Sequence, residues 1–252
     1  MLLPRPHWLS WTWALRVIDL DLRLPGEQVG AGTVTWSAGG ATTTVTSTGD
    51  ALDVTGDVDA AAARFHLDLD ATAVDAACDR AGLSQAVPRW VRRPRCADLW
   101  TFCAAYVCGG DPDSAPVRAI FEPAPTPDDM LSAGHDRLVA HGLKPSRADH
   151  LLGVARMFAD EPAALTSSAL LDLDADAAVA RLARLPHIGR RRAVEIATGP
   201  LGHDDVPADL TPHRDRLVEL LDHSWQDIQR VVAATTPYRG IATDSLRDAV
   251  AD

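Results

Sequence analysis

The stretch Leu185-Pro186-His187-Ile188-Gly189-Arg190-Arg191-Arg192-Ala193 has the residue types and spacing to bind an anion. A helix ending near Arg184, a tight turn with Pro and Gly, and a second helix starting near Arg190 aim backbone N–H groups outward. The helix dipole favours an anion at such an N-terminus, and a nucleic-acid phosphate can sit there without any base being read. A plain helix–helix connection uses the same residues, so both uses stay open here. Two arginine groups stand out: Arg89, Arg92, Arg93 and Arg95 around Trp90, and Arg181, Arg184, Arg190, Arg191 and Arg192. Arginine offers a rigid fork of donors suited to phosphate, although such groups also form solvated faces paired with nearby acids.

These groups sit in an acidic chain. The 252 residues carry 24 Lys+Arg against 35 Asp+Glu, a formal net charge of −11, which argues against coating nucleic acid through bulk charge. Lys144 is the sole lysine, so chemistry needing an amine is confined to one position. Four cysteines make no disulfide framework, and Met1–Trp13 has Pro and Arg where a signal peptide would have its apolar stretch; both predict a cytoplasmic location. No apolar run approaches the roughly 18 to 20 residues of a membrane span. His135-Asp136 and His203-Asp204-Asp205, read as surface loops, lack a convincing ligand set, so no metal site is expected. His213-Arg214-Asp215 has the order of a kinase catalytic loop, but no Gly-rich phosphate loop accompanies it.

The elements that must position these residues fall into two textures. Residues from about 11 to 63 are rich in Thr, Val and Gly. Trp11, Trp13, Leu15 and Val17 alternate, and 33–36 and 42–48 read as further strands, punctuated by Gly39-Gly40 and Gly49-Asp50. From Ala71 the apolar spacing becomes helical, as in Val74, Ala77, Cys78, Ala81 and in Val179, Leu182, Leu185, with Pro and Gly cutting the region into short helices. The expected class is α+β: a small N-terminal antiparallel sheet domain over 1–68, then an all-helical body over 69–252 that contains the hairpin.

On these residues the chain resembles the helix-hairpin-helix superfamily of DNA glycosylases, and most closely its 3-methyladenine DNA glycosylase II branch. Leu185 to Ala193 is similar to the family hairpin, and Gly199 to Asp209 to the Gly/Pro-rich loop that follows it. Arg64 to Asp70 is similar to the junction between sheet and helical body, Gly142 to His150 to the helix start before the hairpin, and Trp225 with Pro237-Tyr238-Arg239 to the closing segment. The resemblance implies a DNA glycosylase of base excision repair, which extrudes a damaged, alkylated base and hydrolyses its N-glycosidic bond. Asp209 falls on the catalytic aspartate. Its charge would stabilise the oxocarbenium-like sugar and orient or deprotonate the attacking water; a residue there can equally cap the helix opening at Thr211-Pro212. His187, Ile188, Gly189, Arg190 and Arg192 would hold DNA through its phosphates. A monovalent cation at the hairpin is implied as possible, and a monomer is expected. Bifunctional members place a lysine where this chain has Arg191, which cannot form a Schiff base, so no lyase step is expected. Cluster-bearing members place four cysteines near the C-terminus; the last here is Cys108, so no iron–sulfur cluster is expected and the cysteines read as buried apolar residues.

The chain also departs from that pattern. His187 stands where the hairpin has glycine. The positions of the base pocket hold Arg191, Glu195 and Arg247, with Tyr238 nearby, where the branch has aromatics. The wedge that fills the gap left by a flipped base is replaced by 108–114, whose acids repel phosphates. Three readings follow: a glycosylase for a different or bulkier lesion, a binding module for DNA or a protein with weak or no catalysis, and a glycosidic hydrolase acting on a nucleoside outside duplex DNA.

Overall fold

A computed structural model describes residues 1–6, 8–38, 41–85, 87, 90–109, 114–121 and 125–250. The turn at Gly39-Gly40, Arg89 and residues 110–113 of the divergent loop lie outside the described residues.

The N-terminal region is a five-stranded antiparallel sheet in the order β1-β5-β4-β3-β2, with β1 Leu2–Pro4, β2 Gln28–Gly30, β3 Thr33–Ala38, β4 Ala41–Thr48 and β5 Ala51–Thr55. Period-two alternation sets the register of β3 and β4. Val34 opposes Val45 and both are fully buried, while on the other face Thr33–Thr46, Thr35–Thr44 and Ser37–Thr42 face each other, each pair joined by a hydroxyl hydrogen bond of 2.9 Å.

The alternation at Trp11 to Val17 does not make a strand. The segment is helix α1 (Trp11–Val17), continued by a π-helical turn at Ile18–Leu22. Trp11, Ala14, Ile18 and Leu22 are all buried, spaced by three or four residues; this helical pattern coexists with the alternation and is the one that packing selects. Strand β1, by contrast, lies in the segment read only for its lack of a signal-peptide pattern.

Helices α2 (Val58–Arg64), α3 (Ala71–Ala81), α4 (Leu99–Cys108), α5 (Ala115–Phe121), α6 (Pro127–Ala140) and α7 (Pro145–Asp160) follow. Then come α8 (Ser167–Leu171), α9 (Ala175–Leu182), α10 (Arg190–Thr198), α11 (Arg214–Leu221), α12 (Trp225–Ala234) and α13 (Arg239–Ala249). The starts are written in the sequence. Asp57, Asp70, Asp98 and Asp174 cap α2, α3, α4 and α9, and Thr126 with Asp129 forms a capping box on α6.

The buried apolar residues form two clusters. One joins α4 to α10, including Leu151, Leu182 and Ile196. The other joins the sheet to α3 and the C-terminal helices, through Val34, Leu52, Val74, Leu217, Ile228 and Leu246. The sheet thus closes over the last helices of the chain as well as its own sequence neighbours.

Candidate active site

The hairpin forms as its residues dictate. Leu185 and Ile188 are almost fully buried and anchor the turn, and the Ile188 N–H donates to the Leu185 carbonyl at 3.0 Å. His187 holds φ +66°, a left-handed conformation uncommon for residues other than glycine. Its ring stacks on His150 of α7 at a centroid distance of 4.2 Å and 13° between planes. Helix α7 comes this close because it carries Gly153 opposite Pro186; a Cβ there would sit 2.9 Å from the Pro186 ring.

Helix α10 begins at Gly189 with no side-chain cap and no acid in its first turn. Arg190, Arg191 and Arg192 occupy that turn instead. Cations at the positive end of a helix dipole are disfavoured by roughly 0.3–1 kcal/mol each, so the arrangement suits an approaching anion. Arg190 reaches Asp176 at 3.4 Å, Arg191 pairs with Glu195 at 3.2 Å, and the Arg192 guanidinium lies 5.2 Å from the centre of the Tyr106 ring. The side chains of Arg190 and Arg191 are largely exposed, so these ion pairs add little stability.

The loop from Gly199 to Asp209 is held at many points. The Pro200 carbonyl accepts from the Cys96 N–H at 2.8 Å. His203 is buried, not on a surface loop as its sequence suggests; its Nε2 lies 2.9 Å from the Leu173 carbonyl. Asp204 accepts from Arg92, which also donates to Asp244 at 2.9 Å with both of those side chains buried. Asp205 receives two hydrogen bonds of 2.8 Å from Arg239. Gly240 lets α13 rest on the loop, since a Cβ there would come within 2.6 Å of the His203 carbonyl oxygen and 2.8 Å of that of Asp204. The His-Asp-Asp run is therefore a structural latch. His135-Asp136 lies on the exposed side of α6, again not on a loop, and among the described residues no group of metal-ligating side chains forms.

The latch ends at Asp209. Its Oδ1 accepts from the Thr211 N–H at 2.9 Å, bracing the chain where it enters the 3₁₀ turn Thr211–His213 that leads into α11. Hydrogen bonds from Thr211 hold the carboxyl below its usual range, helped by the charges of Arg191 and Arg247. Asp209 is exposed, and it lines a cavity of about 990 Å³. Arg191, Glu195 and Arg247 line the same cavity, brought together from α10 and α13. Tyr238 does not line it: the ring is packed against the sheet-side apolar cluster, because it stands where α13 begins, on the side turned to the core. His213, beside Asp209 and Arg247, is pushed toward its neutral form by partial burial and by the charges of Arg247 and Arg216.

Sequence reasoning missed several walls of this cavity. Phe102, Tyr106, Asp19, Leu22, Arg23 and Leu24 reach it only through tertiary folding, and Arg93 of the first arginine group joins them. Phe102 and Tyr106 stack with centroids 6.2 Å apart, an i, i+4 pair on α4 that the sequence displays without saying what it faces. The four cysteines are buried and fall into both apolar clusters; burial raises the Cys103 and Cys108 thiols to about 12. Among the described residues no helix is long and apolar enough to cross a membrane.

No protein-family model and no curated protein matches the sequence. Solved structures do match. A 3-methyladenine DNA glycosylase from Archaeoglobus fulgidus superposes with a TM-score of 0.67 at 15% identity, covering 98% of this chain and 96% of that one. MBOgg1, solved with a low-affinity DNA ligand, gives 0.65 at 14% identity over 97% and 93%. The 8-oxoguanine glycosylase/lyase of Clostridium acetobutylicum gives 0.59 at 14% identity over 87% of each chain. From sheet to last helix, this chain has the fold of these solved DNA glycosylases.

Proposed function

We propose that the protein is a monofunctional DNA glycosylase, nearest the 3-methyladenine DNA glycosylase II branch, that hydrolyses the N-glycosidic bond of damaged, alkylated bases. The observation that carries this reading is the opening of the Asp209 carboxylate into one cavity with the first turn of α10, the anion-binding end of the hairpin. Phosphates of the damaged strand dock on the free N–H groups of α10 and on Arg190 and Arg192, with His187, Ile188 and Gly189 shaping the turn. The sugar then lies before Asp209. Because Thr211 keeps that carboxyl ionised, it acts chiefly as a fixed anion beside the sugar cation, and it orients water for attack on C1′.

Arg191, in place of a Schiff-base lysine, supports hydrolysis without strand cleavage. No step needs a metal or an iron–sulfur cluster, and a monovalent cation at the hairpin belongs to the resemblance alone. The partner in this reading is damaged DNA, engaged by a cytoplasmic monomer. The test is release of bases from oligonucleotides that each carry one lesion. Asp209-dependent abasic sites support the proposal; intact oligonucleotides throughout the panel overturn it. A second reading, a binding module without catalysis, draws on the hydrogen bond that Asp209 accepts from Thr211. Salt-sensitive DNA binding without release of any base would establish it.

A further inference from the structure

The cavity before Asp209 differs in charge from the molecule around it. Five arginines and three carboxylates line it, a surplus of two positive charges in a chain with a net charge of −11. Arg191 and Arg247 line the same cavity as Asp209, and their charges help to hold its carboxyl below the usual range. Leu22, Phe102, Val194 and Ile196 give the same cavity an apolar lining. At about 990 Å³ the space is near the upper end of the roughly 300–1,000 Å³ range typical of small-molecule pockets.

The sign of this charge matters for the departing base. As the C1′–N bond breaks, its electron pair leaves with the base. Water oxygen forms the new bond to C1′, one of its protons passes to Asp209 or solvent, and an uncharged base, which leaves as an anion, takes up a proton from solvent. A purine methylated on a ring nitrogen starts as a cation, and the arriving pair only neutralises it. Such a ring is repelled by guanidinium groups on entry and gains nothing from them on leaving. An uncharged ring builds negative charge as it departs, and nearby guanidinium donors stabilise that charge in the transition state.

Resting on the glycosylase reading, we propose that this cavity selects enlarged bases whose ring is uncharged and whose alkyl arm is anionic or rich in acceptors, with Arg191 and Arg247 setting the preference. A base with a carboxyalkyl arm is the type case: the apolar lining takes the ring and the arginines take the arm.

Four duplexes test this, each carrying one O6-carboxymethylguanine, O6-methylguanine, 7-methylguanine or unmodified guanine. The expected result is release of the carboxymethyl base at least tenfold faster than 7-methylguanine, with O6-methylguanine between them. Arg247→Gln should cut that preference about tenfold, whereas Arg247→Lys should keep most of it. Arg191→Gln, at an exposed position, gives the same readout should Arg247→Gln fail to fold. Faster release of 7-methylguanine, dependent on Asp209, overturns the inference and leaves the glycosylase reading standing. Equal slowing of every lesion in Arg247→Gln overturns selection by charge. Release from none of the duplexes overturns both.

Discussion

The two apolar clusters are built differently. In the one that carries the hairpin, from α4 to α10, Leu, Val, Ala, Ile, Cys, Met130 and aromatics pack together, and among the described residues no ion pair with both side chains buried lies in it. The one beneath the sheet is threaded by buried ions. Arg64 pairs with Glu27 at 2.5 Å and lies 4.5 Å from the centre of the Trp36 ring, and Arg92 bridges Asp244 and Asp204. Apolar packing holds the hairpin by shape, a constraint that conservative substitutions can satisfy. Charge pairs hold the second region by direction and partner identity. Through Asp204 they reach the loop that ends at Asp209, so the hairpin turn and the Asp209 carboxylate are positioned by different physics.

The largest expected effect tests that contrast directly. Arg92→Ala leaves Asp244 charged and buried, and should cost about 3–5 kcal/mol in denaturant unfolding. Arg92→Met combined with Asp244→Leu should recover much of that loss. Equal destabilisation by the single and double variants would break the comparison. Next in size, Asp209→Asn should lower base release by about 10² to 10³-fold while unfolding at nearly the wild-type temperature, since its carboxylate is exposed. A drop in melting temperature to match would make Asp209 part of the scaffold instead.

Gly240→Ala pushes a methyl group into three loop carbonyls and should cost about 1–3 kcal/mol. Base release should fall more than DNA affinity, because Gly240 rests on the loop that ends at Asp209 rather than on the hairpin turn. At His187 the strain is local. Replacement by Val, which tolerates positive φ poorly, should destabilise by about 1–2 kcal/mol and weaken DNA binding, while His187→Gly should bind at least as well as wild type. The smallest effect is in pH. The Asp209 carboxyl is held below its usual range, so its charge persists until the pH falls through that lowered value, and base release should keep its plateau below the ordinary aspartate pKa. Thr211→Val should move the acid limb upward, and an unmoved limb would remove Thr211 from the account.

Parts of this site were legible in the sequence because their physics is local. The hairpin needs only Leu185, Ile188, a Pro and Gly turn and a following helix, all within nine residues. Strands β3 and β4 announce themselves through alternating Val and Thr. The misreading of Trp11–Val17 shows the limit: over seven residues two periodicities coexist, and burial against the sheet decides between them. His203 misled for the opposite reason. A polar run flanked by Gly and Pro looks like surface, and only the Leu173 carbonyl and the packing of α13 make it interior.

Sequence alone therefore determined the small sheet before a helical body, the Leu185–Ala193 turn between two helices, and the placing of Asp209 after the loop that follows it. Tertiary structure decided what surrounds that aspartate. Arg191 and Arg247 stand 56 positions apart, and α4 and the Asp19–Leu24 segment are more distant still, so no local pattern could place them on one cavity. Their meeting depends on helices packing against a shared core, a long-range constraint that fixes side chains in space without leaving a periodic mark along the chain.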